Sequence, residues 1–95
     1  MNIKDHFNAA KTVSTSPLFK GQDGSATAIQ ILAGGVLPAH TTKIPALLVC
    51  VKGTAIYEDE KGQSINLTNG SYVLIEPEVK HWINASTDSQ FILIK

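Results

Sequence analysis

Apolar and polar residues alternate with a period of two along most of the chain after Ser25. The richest run of strand-forming residues is Ala46–Lys52, and residues 54–58 continue the pattern beyond Gly53. Clusters of turn-forming residues separate the apolar runs, among them residues 59–62 and 68–70. About eight short strands with this spacing predict an all-β domain, either a sandwich or a barrel of antiparallel strands.

The first 24 residues follow a different pattern. Residues 5–12 fit a short helical turn, and Pro17 and the glycine-rich residues 21–24 interrupt the chain after it. We therefore divide the chain into an N-terminal segment, residues 1–24, and a barrel, residues 25–95. The segment is expected to pack on its own barrel or to exchange between two barrels.

Composition excludes several classes of protein. Eight basic and eight acidic residues cancel, and no Lys/Arg cluster is present, which argues against nucleic-acid binding. No apolar run approaches the roughly 20 residues that span a bilayer, so no membrane association is expected. A single cysteine, Cys50, excludes an internal disulfide and favours a reducing, cytoplasmic location. The polar first ten residues lack the pattern of a signal peptide.

The stretch from Gly35 to Gly53 resembles the first sequence motif of the cupin family. That motif has a glycine, two histidines separated by one residue, a glutamate and a final glycine. His40 occupies the position of the first histidine. Thr42 stands at the second histidine and Ala46 at the glutamate, so this motif is only partly filled.

The stretch from Gly70 to Asn84 resembles the second cupin motif, with Pro77 and His81 at its proline and histidine. Both motifs occur in the family's order, and the resemblance covers about residues 25–95. It implies a double-stranded β-helix, the jelly-roll-like barrel of the small single-domain cupins.

The same resemblance implies a metal site, because three histidines and a glutamate hold a divalent transition metal in metal-binding cupins. Zinc, nickel, manganese, iron and copper all suit such ligands. This chain offers only His40 and His81 at those positions. If Ala46 faces inward, the alternation of side chains turns Cys50 inward too, as a third candidate ligand. The alternative for Cys50 is a small buried apolar residue.

Trp82 is expected to point away from His81, and outward packing is the default expectation for Tyr57 and Tyr72.

Three functions remain open on the sequence. The favoured one is binding of a small molecule in the barrel interior, in a pocket lined by Leu48, Cys50 and Ile83 beside the two histidines. The second is a metal-dependent enzyme, a dioxygenase or an isomerase, with a reduced set of histidine ligands. The third is a protein-interaction module that uses an open barrel edge or the surface around Trp82. Fold by itself does not choose among them.

A homodimer is also expected. A chain of 95 residues buries proportionally little surface, and its sheet edges present unpaired backbone groups. Pairing of the N-terminal strand with that of a second copy would cover such an edge, and two-fold dimers are the commonest soluble oligomers.

Overall fold

A computed structural model describes every residue from Met1 to Lys95. A short 3-10 turn precedes nine strands. The elements are the turn Ile3–His6, β1 (Val13–Lys20), β2 (Ser25–Ile31), β3 (Val36–His40), β4 (Ala46–Lys52), β5 (Ala55–Asp59), β6 (Ser64–Leu67), β7 (Tyr72–Ile75), β8 (His81–Ala85) and β9 (Ser89–Ile94).

The strands form two antiparallel sheets. The larger has five strands in the order β1-β2-β9-β4-β7, and the smaller has four in the order β3-β8-β5-β6. The chain passes between the sheets at every connection except those of the hairpins β1–β2 and β5–β6, and it passes from β4 to β5 at Gly53. The prediction of an all-β domain of antiparallel strands with a short helical N-terminal segment is confirmed. The helical turn lies over Ile3–His6 and not over residues 5–12 as predicted.

The space between the sheets is filled by side chains. Phe91 is the largest of the completely buried side chains in this core. The strands bury every second residue, as in β4, β5 and β8, because one face of each sheet meets the other sheet. The core comprises Ile29, Ile31, Ala46, Leu48, Cys50, Ala55, Tyr57, Leu67, Val73, Ile75, Ile83, Ala85 and Phe91.

The N-terminal segment contributes a strand to the larger sheet. β1 pairs antiparallel with β2 of the same chain from Val13, opposite Ile31, to Lys20, opposite Ser25. The regular sheet therefore begins near Val13, inside the segment that was set apart from the barrel on the sequence. Within one chain β1 therefore lies on its own barrel, and the choice between this packing and exchange between two barrels stays a prediction.

No helix in the structure is long and apolar enough to cross a membrane.

Gly53 makes the crossing from the larger sheet to the smaller one. Its φ of 106° lies in the left-handed region that disfavours residues with a side chain. A Cβ here would collide with the Ser89 Oγ and lie 2.7 Å from the main-chain oxygen of Asp88. The Gly53 N–H donates to Asn69 Oδ1 at 2.9 Å, which holds the crossing against the loop after β6.

We predict that Gly53→Ala lowers the free energy of unfolding by about 3 kcal/mol or more, because left-handed strain and overpacking act together. Gly62→Ala is the matched control. Gly62 also has a positive φ, 89°, but nothing lies within 4 Å of its Cβ position, so the expected loss is only about 1–2 kcal/mol. Urea unfolding of the two variants measures the difference, and equal losses would contradict this account of the crossing.

Candidate functional site at the barrel mouth

The two histidines of the motifs meet at one end of the barrel. His40 is the last residue of β3, His81 is the first residue of β8, and the two lie opposite each other in the antiparallel pair. Their ring centroids are 4.2 Å apart in an edge-to-face arrangement. His81 is 2% exposed and points inward like Ile83, whereas His40 is exposed. We call this end, with His40, His81, Tyr57 and Asp59, the barrel mouth.

Main-chain carbonyls orient both imidazole rings. His40 Nδ1 lies 2.9 Å from the Pro38 oxygen, and His81 Nδ1 lies 3.1 Å from the Val79 oxygen. A carbonyl oxygen can only accept, so each Nδ1 carries the proton and donates it. In the neutral ring the lone pair is then on Nε2. No buried side-chain nitrogen or oxygen lacks a hydrogen-bond partner, so the unpartnered Nε2 of His81 reaches solvent.

Burial keeps the His81 ring neutral. Loss of solvent around the ring lowers the pKa of His81 from its ordinary value of 6.5, and the neighbouring His40 acts in the same direction. The Val79 carbonyl and Asp59 oppose this shift without reversing it. At neutral pH, His81 therefore offers a hydrogen-bond acceptor to the mouth.

Tyr57 forms the floor of the mouth. Its ring stacks on His81 with the centroids 5.6 Å apart and the planes 23° from parallel. Burial, helped by the charge of Asp59, raises the pKa of Tyr57 to about 12, so the phenol stays protonated. The hydroxyl has no partner within the chain and must therefore reach solvent. The outward placement expected for Tyr57 was wrong, whereas Tyr72, 64% exposed, does face outward.

Asp59 completes the mouth and was missed on the sequence, where it was assigned to a hairpin turn. It ends β5 directly opposite His81 and is only 8% exposed. Its Oδ1 accepts hydrogen bonds from the N–H groups of Lys61 and Gln63, which shape that turn. Its other oxygen has no partner and is not buried. Every second residue of β5 faces inward, and Asp59 follows Ala55 and Tyr57 in that series. This alternation is the signal that could have identified it.

The remaining residues of the predicted ligand set do not add a metal ligand. Thr42 Oγ1 donates to the Ile44 oxygen at 2.9 Å, and Ala46 belongs to the core. Cys50 Sγ is directed towards the Lys52 oxygen, 3.6 Å away, and burial raises the pKa of its thiol. No three His, Cys, Asp or Glu side chains come together in a group that could hold a metal ion. The ligand set of His40, His81 and Cys50 is therefore not assembled.

The residues expected to line a pocket in the barrel interior belong to the core. Leu48, Cys50 and Ile83 are all at most 1% exposed and are packed within the core. The two cavities of the structure lie elsewhere, one of about 460 Å³ beside the β1–β2 hairpin and one of about 420 Å³ at the N-terminal turn. Space for a ligand near the histidines is therefore at the mouth and not beneath it.

Trp82 lies on the opposite face of β8 from His81, as predicted. It is half-buried, and its Nε1 donates to Glu58 Oε1 at 3.3 Å. This bond joins β8 to β5 on the outside of the smaller sheet.

Solved structures with the same arrangement of strands identify the fold. A cupin-2 domain-containing protein from Shewanella frigidimarina superposes with a TM-score of 0.81 over 100% of this chain and 92% of its own, at 18% identity. The chain has the cupin fold. A protein of unknown function from Streptococcus pyogenes superposes with a TM-score of 0.82, at 14% identity, over 99% of this chain and 82% of its own. A protein from Neisseria meningitidis gives a TM-score of 0.79, at 19% identity, over 99% and 95%.

No family model and no curated protein matches the sequence. The resemblance inferred from the two motifs is thus confirmed for the fold. Sequence identities of 14–19% establish the fold alone, so any activity has to be inferred from the residues of the barrel mouth.

The lowered pKa of His81 predicts how stability depends on pH. The unfolded chain binds a proton at His81 near pH 6.5, whereas the folded protein binds it only at lower pH. Stability present above pH 6.5 is therefore lost as the pH falls through the folded pKa, with a slope of at most about 1.4 kcal/mol per pH unit. We expect His81→Gln to remove this part of the slope between pH 7.5 and 5.5, measured by urea unfolding.

His6→Gln, a change at the exposed histidine of the N-terminal turn, is the control and should keep the slope. A wild-type stability that does not change over this range would contradict the burial argument for His81.

Proposed function

We propose that this cupin binds a small polar molecule at the barrel mouth, between His40, His81 and Tyr57. One observation supports the proposal. The ring centroids of the two imidazoles are 4.2 Å apart, and both Nδ1 atoms are hydrogen-bonded to main-chain carbonyl oxygens. This arrangement leaves both Nε2 atoms for an external partner. It is fixed by backbone strands, so a ligand meets groups that are already oriented.

The chemistry of the mouth favours a ligand that donates hydrogen bonds. A neutral His81 offers an acceptor nitrogen, and Asp59 offers the carboxylate oxygen that the turn does not use. The protonated hydroxyl of Tyr57 can donate as well as accept. A hydroxyl- or amine-bearing molecule, neutral or cationic, satisfies these groups better than an anion does, because Asp59 would repel an anion.

The filled core limits the size of the ligand. Leu48, Ile83 and Phe91 leave no cavity beneath the histidines, so the ligand would rest on Tyr57 and stay partly in solvent. Binding at the mouth therefore replaces the interior pocket that the sequence suggested. No reaction follows from these groups alone, and the proposal is one of binding.

Divalent-metal binding is the second candidate. A histidine that donates from Nδ1 to a carbonyl and presents Nε2 is the usual form of a metal ligand, and both histidines have it. The protein supplies only two such ligands, against three in most catalytic zinc sites and four in structural ones. We therefore expect weak metal affinity and derive no metal-dependent reaction.

The binding proposal is tested by ligand-observed NMR with a panel of small polyols, amines and amides. We expect weak binders whose signals are lost with His40→Ala and with Tyr57→Phe, because each change removes a polar group of the mouth. His6→Ala is the matched control, since it removes an exposed histidine outside the mouth, and it should bind as the wild type does.

Two results would overturn the proposal: no compound binds, or binding survives both changes at the mouth. Zinc is titrated alongside the panel. Stoichiometric zinc binding at low micromolar concentration, lost with His40→Ala, would replace the small-molecule proposal by the metal candidate.

A further inference from the structure

The outer face of the four-stranded sheet carries a tryptophan beside a carboxylate and an amide. Trp82 and Asn84 on β8 and Glu58 on β5 alternate with the buried residues of their strands, so they face away from the core. Glu58 is the cross-strand partner of Trp82, and Ile56 is the partner of Asn84. The tryptophan, the carboxylate and the amide are all half-buried. Part of each side chain is therefore held by its neighbours, and part is open to solvent.

Hydrogen bonds orient the Glu58 carboxylate on this face. Its Oε1 accepts from Trp82 Nε1 at 3.3 Å and from Asn84 Nδ2 at 3.5 Å. Its Oε2 has no partner and is not buried, so it is open to solvent. Because a carboxylate only accepts, the Asn84 amide turns its NH2 group to Glu58 and leaves its own Oδ1 free as well. The face thus presents two unused acceptors beside the indole ring.

The charge of Glu58 has no counterpart within the protein. The one salt bridge joins Lys61, in the β5–β6 turn, to Glu76, in the segment after β7. In the next row towards the mouth, Lys80 and Glu60 are joined by two hydrogen bonds of 2.9 Å, and their charges balance each other. A cation from outside the chain would supply the counterpart that Glu58 lacks. The other residues in the rows of Trp82 and Asn84 are uncharged and are Ser64, Val36, Ile56 and Asn66.

We propose that this face binds the guanidinium group of an arginine side chain presented by another protein. A guanidinium is planar, always charged, and carries five N–H donors in a fixed arrangement. It can donate to Glu58 Oε2 and Asn84 Oδ1 while it stacks on Trp82, because the face of an indole attracts cations. An ammonium group has the charge without the plane, and Glu58 would repel a carboxylate. The site is separate from the barrel mouth, since it lies on the opposite face of β5 and β8.

The shape of the face favours a side chain of a partner protein over a free small molecule. Small-molecule sites are concave and enclose most of their ligand, whereas both cavities of this structure lie elsewhere. Tryptophan and arginine are among the residues most enriched at the hot spots of protein interfaces. Val36, which is 46% exposed, and Ile56 flank Asn84 on the two neighbouring strands. They offer apolar surface to the methylene stem of an arginine.

The proposal is tested by NMR titration with the blocked tripeptide acetyl-Gly-Arg-Gly-amide. Trp82 is the only tryptophan of the chain, so its indole N–H gives a single signal at the proposed site. We expect a saturable shift of this signal with a dissociation constant in the millimolar range, as suits one side chain and not a whole interface. The lysine peptide should bind more weakly, because its ammonium group is not planar. The citrulline peptide, a neutral isostere, should leave the signal unchanged because it lacks the charge.

Glu58→Gln separates the charge of the site from its shape. Glutamine keeps an oxygen that can accept from Trp82 and Asn84, so the face should stay intact. The affinity for the arginine peptide should fall at least about tenfold, because the hydrogen bond to the guanidinium loses its charged acceptor. Glu78→Gln is the matched control. It removes an exposed carboxylate from the loop before β8, and this variant should bind the peptide as the wild type does.

Four results would overturn the proposal. The first is an indole signal that does not move at tens of millimolar arginine peptide. The second is an equal shift with the citrulline peptide, which would indicate a neutral hydrogen-bonding ligand such as a sugar. The third is equal affinity of the wild type and Glu58→Gln. The fourth is binding of methylguanidinium as tight as that of the arginine peptide, because it would mark a site for a small cation without the stem of a side chain.

Discussion

Close packing of the core between the two sheets, which includes the fully buried Phe91, is the constraint on which the rest of this structure depends. Side chains from both sheets fill the space between them, and the core includes residues as large as Tyr57 and Leu67. A packed interior excludes water and leaves no room for a ligand. Polar side chains that point inward must then lie at an end of the barrel, where His81, Tyr57 and Asp59 keep one polar atom each in contact with solvent.

The register of three neighbouring strands places the polar side chains together at the mouth. His40, His81 and Asp59 lie side by side on β3, β8 and β5, at the end where β3 and β5 finish and β8 begins. Each imidazole ring is oriented by the carbonyl of the residue two positions earlier in the sequence. The closeness of the two rings comes instead from the pairing of β3 with β8. A slip of one residue in β8 would turn His81 out of the barrel and put Trp82 in its place.

Much of this arrangement could be predicted from the sequence. The spacing of the turns and the period-two alternation of apolar residues were enough to predict an antiparallel all-β fold. The two motifs identified His40 and His81 as candidate site residues. Tyr57 and Asp59 were missed because the register shifts between Cys50 and Lys52, and Gly53 then changes the sheet. The alternation of inward and outward side chains along β4 therefore cannot be extended into β5 to predict which residues of β5 face inward. The filled interior was not predictable either, since it depends on how residues distant in sequence, such as Leu67 and Phe91, come together in one core.

The central claim is that both histidines present a free Nε2 at the mouth because the main chain occupies their Nδ1 atoms. A long-range proton–nitrogen NMR spectrum of the imidazoles at pH 7.5, assigned with His40→Ala and His81→Gln, measures this directly. The account predicts a neutral His81 with its proton on Nδ1 and an unprotonated Nε2. A His81 protonated on Nε2, or charged at this pH, would contradict it.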